Sequence, residues 1–345
     1  MPVVPDLPAS DRLTETDLVL IDALQSAPRS PWSRIAEATG TAASTAARRW
    51  ERLRDKGMAW VTAYESADSV VVAHVEISCA APEVAANADR LARLPWVVSV
   101  YEVAGDYDLL ITVGAFDLPG IRGVVRDDVS TLPGVEQARV RLAMTQYGEG
   151  GDWRMRALSN AERVRLPQRS PVGCVSFSDT GRDRYSAADR ELLAVLGRDG
   201  RIGHRALGQA LGVSEHTAAR RLRKLLVDGR VVLRCDFAQR LAGLTTSVIY
   251  RARVPHADCD EVGAALARLE AVRLCVSVSG EENLFVHALL HGLSGAAPFE
   301  ASVRDRMPTG GVTARTVVLR AVKRVGWVLD EHERAVFYVP PQEPA

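Results

Sequence analysis

The chain has 345 residues, with 43 basic and 43 acidic side chains and therefore no formal net charge. Hydrophobic residues make up 47% and charged residues 25%, the balance of an ordinary globular protein with room for roughly two to four domains. Zero net charge excludes a globally basic coat, so any nucleic-acid binding has to come from a local basic face.

The first elements recur. Residues 13–61 and 185–233 align without a gap at a constant offset of 172. Asp17 falls on Asp189, Leu24 on Leu196, Arg29 on Arg201 and Gly40 on Gly212. The run Thr45-Ala46-Ala47-Arg48-Arg49 returns as Thr217-Ala218-Ala219-Arg220-Arg221. A period this long exceeds that of solenoid repeats, roughly 20–50 residues, and is the size of a domain pair. Each copy opens on a hydroxyl three residues before an acid, Thr14…Asp17 and Ser186…Asp189, which predicts a capped helix start. Apolar residues follow at helical spacing, then a second helix (about 32–39 and 204–211). After a turn at Gly40 or Gly212 comes a third helix (about 43–56 and 215–228), stopped by Gly57 or Gly229. A short strand, Met58–Ala63 or Arg230–Cys235, is expected as the wing of a helix–turn–helix.

Behind each reader lies a second repeated block. Val70–Ile77, Pro82–Leu94, Val97–Val103, Asp108–Val113, a helix near 117–131 and Val135–Leu142 read as β-α-β-β-α-β. The order returns in Thr246–Val254, Asp258–Leu269, Val272–Val278, Leu284–Leu290, about 297–306 and Val312–Leu319, now at an offset of 175. It fits a ferredoxin-like split βαβ sandwich. Each copy ends in a tail with an indole and a capping-box pattern, Trp153 before Ser159…Glu162 and Trp327 before Asp330…Glu333.

The expected fold is α+β, a tandem duplication of a winged helix–turn–helix followed by a βαββαβ domain. Its units are a helix–turn–helix domain at 1–64, a βαββαβ domain at 68–147, a tail and linker at 148–184, a second helix–turn–helix domain at 185–236, a second βαββαβ domain at 244–323, and a tail at 324–345.

In the first third helix, Ala46, Trp50 and Leu53 form a core stripe, while Ser44, Thr45, Arg48, Arg49 and Arg52 face elsewhere. In the second, Ala218, Leu222 and Leu225 are the stripe, with His216, Thr217, Arg220, Arg221 and Lys224 outward. Small or polar residues near a helix start suit base edges in the major groove, and cations suit guanine edges or phosphates. A lone arginine pair would be a solvated face; its recurrence at one place in a three-helix pattern points to double-stranded DNA. The first helix lacks a serine cap where the second has Ser214, and Thr41 is the available substitute.

These residues, with Gly200-Arg201-Ile202, Gly212-Val213-Ser214 and the loop Gly105-Asp106-Tyr107-Asp108, resemble the Lrp/AsnC (feast/famine) transcriptional regulators in a double-length form. The resemblance implies DNA binding, sandwich domains that self-associate, and a response to an amino acid or related small molecule. It implies an effector loop at Gly105, Asp106, Tyr107 and Asp108. A glycine lets backbone approach a ligand and an acid suits an ammonium group. The same four residues also read as a hairpin turn with a packed tyrosine. The corresponding Gly280-Glu281-Glu282-Asn283 keeps the glycine and loses the tyrosine.

Competing classes are a nucleoid-architectural DNA-binding protein with no effector, and an enzyme. No catalytic spacing, metal motif or cofactor loop is legible, and His74 and His287 read as core residues within apolar strands. Five cysteines without CxxC suit a reducing cytoplasm. The start Met1–Asp6 carries no signal-peptide pattern, and no apolar run reaches the roughly 18 residues of a membrane span. No cofactor is expected.

Overall fold

A computed structural model describes residues 12–167, 174–177 and 185–342. The N-terminal stretch and part of the linker, both read above, lie outside the described residues. In chain order the elements are α1 (Glu15–Ser26), α2 (Trp32–Thr39), α3 (Ala43–Asp55), β1 (Ala59–Glu65), β2 (Val71–Cys79), α4 (Val84–Ala92), β3 (Val97–Ala104), β4 (Leu109–Ala115), α5 (Leu118–Val124) and β5 (Val135–Gly148). After α6 (Asn160–Arg163) and β6 (Val175–Ser176) come α7 (Ala187–Arg198), α8 (His204–Ala210), α9 (Glu215–Val227), β7 (Val231–Phe237), β8 (Thr246–Arg253), α10 (Cys259–Ala267), β9 (Val272–Val278), β10 (Leu284–Leu290), α11 (Ala296–Arg306), β11 (Gly311–Arg324), β12 (Trp327–Leu329) and β13 (Ala335–Tyr338).

Both reader starts form the expected capping boxes. Thr14 and Ser186 accept from the amides of Asp17 and Asp189, and each aspartate reaches back to the cap backbone. The strands after the readers do not stand as wings. β1 and β7 pair with each other, antiparallel, over their whole lengths, with Thr62 opposite Arg234. Those two residues are repeat counterparts at the offset of 172, so a pseudo-two-fold axis passes between them. All of β7 is buried, so the ribbon is a seam between the two readers.

The seam is reinforced by an exchange of arginines. Arg29 donates to the carbonyls of Gly200 (2.6 Å) and Ile202 (2.8 Å), and Arg201 donates to those of Pro28 and Ser30 (2.9 Å). Each side chain grips the residues flanking its own counterpart. The two readers share one apolar core.

The eight strands of the two sandwich blocks close into a ring in the order β11-β3-β4-β2-β5-β9-β10-β8, with β8 returning to β11. Each block keeps the ferredoxin-like order, and β5–β9 and β11–β3 join the blocks. Closure removes free sheet edges, which otherwise template aggregation. Period-two alternation explains the unbroken apolar runs, because both faces are covered. Val71, Ala73, Val75 and Ile77 pack with the helices of the first block, and Val248, Tyr250 and Ala252 with those of the second. The intervening positions face inward, where Tyr101, Val103, Leu110, Val276 and Phe285 form an inner core.

The two tails differ. Ser159 and Glu162 make the expected capping box and open α6. Asp330 opens no helix: its Oδ1 accepts from the amides of His332 and Arg334 in a turn between β12 and β13. Glu333 has φ +62°, and its carboxylate is held by Arg324 at 2.7 Å rather than returning to the backbone.

Candidate functional site

α9 is a well-capped helix. Ser214 caps it, accepting from Thr217 N at 3.2 Å, and Ala218, Leu222 and Leu225 are buried as the stripe predicts. His216, Arg220 and Lys224 are exposed, and Arg221 and Thr217 are half-buried. The Thr217 hydroxyl is engaged by Ser214 Oγ at 2.9 Å, so Thr217 serves the cap.

α3 has the same stripe, Ala46, Trp50 and Leu53, under a different surface. Its cap position is Ala42, without a side-chain bond; the Thr41 hydroxyl pairs with Thr39 and does not substitute. Ser44 and Arg48 are exposed and Thr45 half-buried. Arg49 and Arg52 converge on Asp17 Oδ1, at 3.0 and 2.5 Å. Burial alone would raise the Asp17 carboxyl, but bonds from Thr14, Arg49 and Arg52 outweigh it and hold the group below the usual carboxylate range. In the second reader Asp189 lies 3.9 Å from Arg230 instead. Among the described residues Arg220, Arg221 and Lys224 have no ion pair. The two third helices therefore carry different sets of unpaired cations among the described residues.

The Gly105–Asp108 loop joins β3 to β4 at one end of the barrel. Gly105 lies against Thr316, whose Oγ1 would be 2.8 Å from any added Cβ. Asp106 is exposed, yet its Oδ2 is 2.5 Å from the Arg251 guanidinium of the other half. Tyr107 is buried beneath Arg251, and burial pushes its phenol up to about 12. The Asp108 carboxylate accepts from Cys79 N at 2.9 Å, a bond repeated in the second copy between Val254 N and Asn283. The Gly280 loop is also occupied, since Glu282 accepts from Arg141 (2.7 Å) and lies 3.2 Å from Arg251. Inside, Glu76 pairs with both Arg141 (2.9 Å) and Arg251 (3.2 Å). Glu76 and Arg251 are themselves counterparts, at the offset of 175.

Sequence reasoning missed what lies inside the barrel. A cavity of about 260 Å³ opens there, lined by His74, Leu110, Val276, Phe285, Arg234 and Arg273 among others. His74 accepts or donates at Thr112 (3.2 Å) and stacks on Phe285, and His287 bonds Ser247 and meets Tyr101 edge-on. Burial depresses both imidazoles, to about 4 and about 3, so they are neutral. Arg234, Arg273 and Arg324 surround Asp236 at 2.7, 2.9 and 3.6 Å. The available signal was Arg234 and Arg273 within the short, largely apolar strands β7 and β9.

Comparison with known proteins matches this architecture. The AsnC-type helix-turn-helix domain matches residues 13–54 and 187–226, and the Lrp/AsnC ligand binding domain matches 72–153. The HTH-type transcriptional regulator FL11 of Pyrococcus horikoshii is 27% identical over 141 residues, 40% of this chain and 93% of its own length. The regulator LysM of Saccharolobus solfataricus is 26% identical over 128 residues, 36% of this chain and 87% of its own. Among solved structures, the siroheme decarboxylase NirDL in co-complex with an iron-uroporphyrin III analogue superposes with a TM-score of 0.58 at 14% identity, over 90% of this chain and 93% of that one. That likeness shows the duplicated fold. No helix among the described residues is long and apolar enough to cross a membrane. With two AsnC-type helix-turn-helix domains and an Lrp/AsnC ligand binding domain, the chain has the parts of an Lrp/AsnC-type transcriptional regulator, in a double-length form.

Proposed function

We propose that the chain is a one-piece regulator, acting in the cytoplasm, that reads two unequal half-sites on double-stranded DNA and is tuned by an amino acid. The carrying observation is the difference between the readers: α9 presents Arg220, Arg221 and Lys224 without ion pairs among the described residues, while Arg49 and Arg52 of α3 share the single carboxylate of Asp17. Ser44, Thr45 and Arg48 would face DNA in the first reader, with Arg49 and Arg52 supporting the helix. His216 and Thr217 complete the second. Half-sites read by a rigid pair are spaced by about one helical turn, roughly 34–36 Å.

The effector reading places an amino acid at Gly105–Asp108. The Asp106–Arg251 bridge at 2.5 Å is a matched pair of opposite charges across the two halves. A zwitterion would have to part that contact, placing its ammonium on Asp106 and its carboxylate on Arg251. Insertion would replace an inter-half contact by a ligand-mediated one, and so bias one geometry of the halves over another. Self-association through the sandwich domains is part of the same proposal. Binding rather than catalysis is favoured by the regulator relatives and by the reader surfaces.

A thermal-shift screen of the full chain against amino acids tests the effector site. The stabilising amino acid should lose its effect in Asp106→Ala, and a shift that survives unchanged removes the site. Competition with bulk genomic DNA separates the regulator from an architectural DNA coat, since a specific regulator keeps roughly 10³-fold or better preference.

A further inference from the structure

We propose that the barrel cavity is a second ligand site, separate from the Gly105–Asp108 loop, and that it takes a small aromatic or branched carboxylic acid. Its volume of about 260 Å³ lies just below the usual range of drug-sized ligand pockets, roughly 300–1,000 Å³, and suits a guest of about amino-acid size. The walls are apolar strand residues, Leu110, Leu274, Val276 and Phe285, which favour a flat or branched hydrocarbon.

The polar end is built for an anion. Arg234 is 7% exposed, and its outer nitrogen donates to Asp236 Oδ2 at 2.7 Å. Its Nε has no acceptor among the described residues. A buried donor left unmatched is costly and rare in native structures. Asp236 is shared with Arg273 (2.9 Å), while Arg324 is held by Glu333 (2.7 Å). With Glu149, which acts on Arg234 from the cavity wall, three guanidiniums meet three carboxylates, and the Arg234 Nε is the donor left over for a guest. Glu149 also lines the cavity and accepts the Tyr64 hydroxyl at 2.7 Å. His74 and His287, both neutral, add hydrogen-bonding capacity without charge.

The cluster is one-sided. Arg234 corresponds to Thr62 at the offset of 172, and Arg273 and Arg324 to Val98 and Glu149 at 175. The pairings of Val103 with Val318 and of Ala143 with Val278 fix the latter register. A symmetric homodimer would carry the arginines on both sides of the axis. Here fusion left them on one wall, with first-half apolar strands opposite, which gives one pocket per chain.

Calorimetric titration of the full chain with indole-3-acetate and with its amide, indole-3-acetamide, tests the site. The acid should bind at least about tenfold more tightly than the amide, because a charge-assisted bond replaces a neutral one. Arg234→Thr installs the counterpart residue and should erase that preference. Gly114→Leu fills the cavity without touching a charge, since an added Cβ there meets only Val98, at 3.7 Å, and should abolish binding of both probes. Asp106→Ala should change neither. If Arg234→Thr fails to fold, Gly114→Leu decides. Equal binding of acid and amide, acid binding that survives Gly114→Leu, or no heat at millimolar concentration from indole-3-acetate, phenylpyruvate or 4-methylpentanoate would overturn the proposal.

Discussion

Arg29 and Arg201, counterparts 172 residues apart, each donate to the backbone carbonyls on either side of the other. This reciprocal grip sits beside the β1–β7 seam and ties the two readers to each other. Hydrogen bonds from a charged donor contribute roughly 1.5–3 kcal/mol each, reduced here because both side chains are only partly buried. Arg29→Ala should therefore destabilise the chain by about 2 kcal/mol in denaturant unfolding. It should also weaken binding to a two-half-site operator much more than to an isolated half-site. Arg29→Lys should not rescue it, because one ammonium lacks the planar fork that spans two carbonyls.

The readers should respond differently to loss of cations. Arg220→Ala or Lys224→Ala should weaken DNA binding and lower the salt slope by about one each, as expected when a phosphate contact is lost. Arg52→Ala should cost less affinity, because Asp17 already holds that guanidinium. Filter binding across a salt series measures both.

Asp17 also sets an acid limb. Its folded-state carboxyl lies below the unfolded value, so its contribution is present above the unfolded pKa and is lost as pH falls through the folded one. Asp17→Asn should flatten the acid side of the stability curve and lower the plateau at neutral pH.

How much of this was visible beforehand depends on distance along the chain. The helices of each reader were legible because caps, stripes and stopping glycines act within a few residues: Thr14 with Asp17, Ser214 with α9, Gly57 and Gly229 after the third helices. The β-α-β-β-α-β order was legible for the same reason. The role of β1 was not, since its partner β7 lies some 170 residues away and period-two alternation does not name a partner. The Asp330…Glu333 pattern misled because tertiary charge overrode a local signal: Arg324 takes Glu333. The Asp106 carboxylate was picked out, but its partner Arg251 comes from the other half and carries no local mark.

Lys323 gives a basic counterpart. Its side chain is fully buried, its ammonium donates to Leu94 O at 2.8 Å, and burial pushes its pKa down to about 7. Between about 7 and the ordinary lysine value the unfolded chain holds a proton the folded one lacks, so stability rises with pH in that window. Lys323→Met should remove that slope from unfolding free energies measured between pH 7 and 10, and should stabilise the chain most below pH 7.

The central claim is that one chain carries two fixed and unequal readers. In vitro selection of operators by the purified full chain, followed by footprinting of the winning site, tests it most directly. Two half-sites about one helical turn apart, different in sequence and occupied by one chain, are predicted; Arg221→Ala should then erase protection on one half first. A strictly palindromic site, or protection of a single half-site, would contradict it.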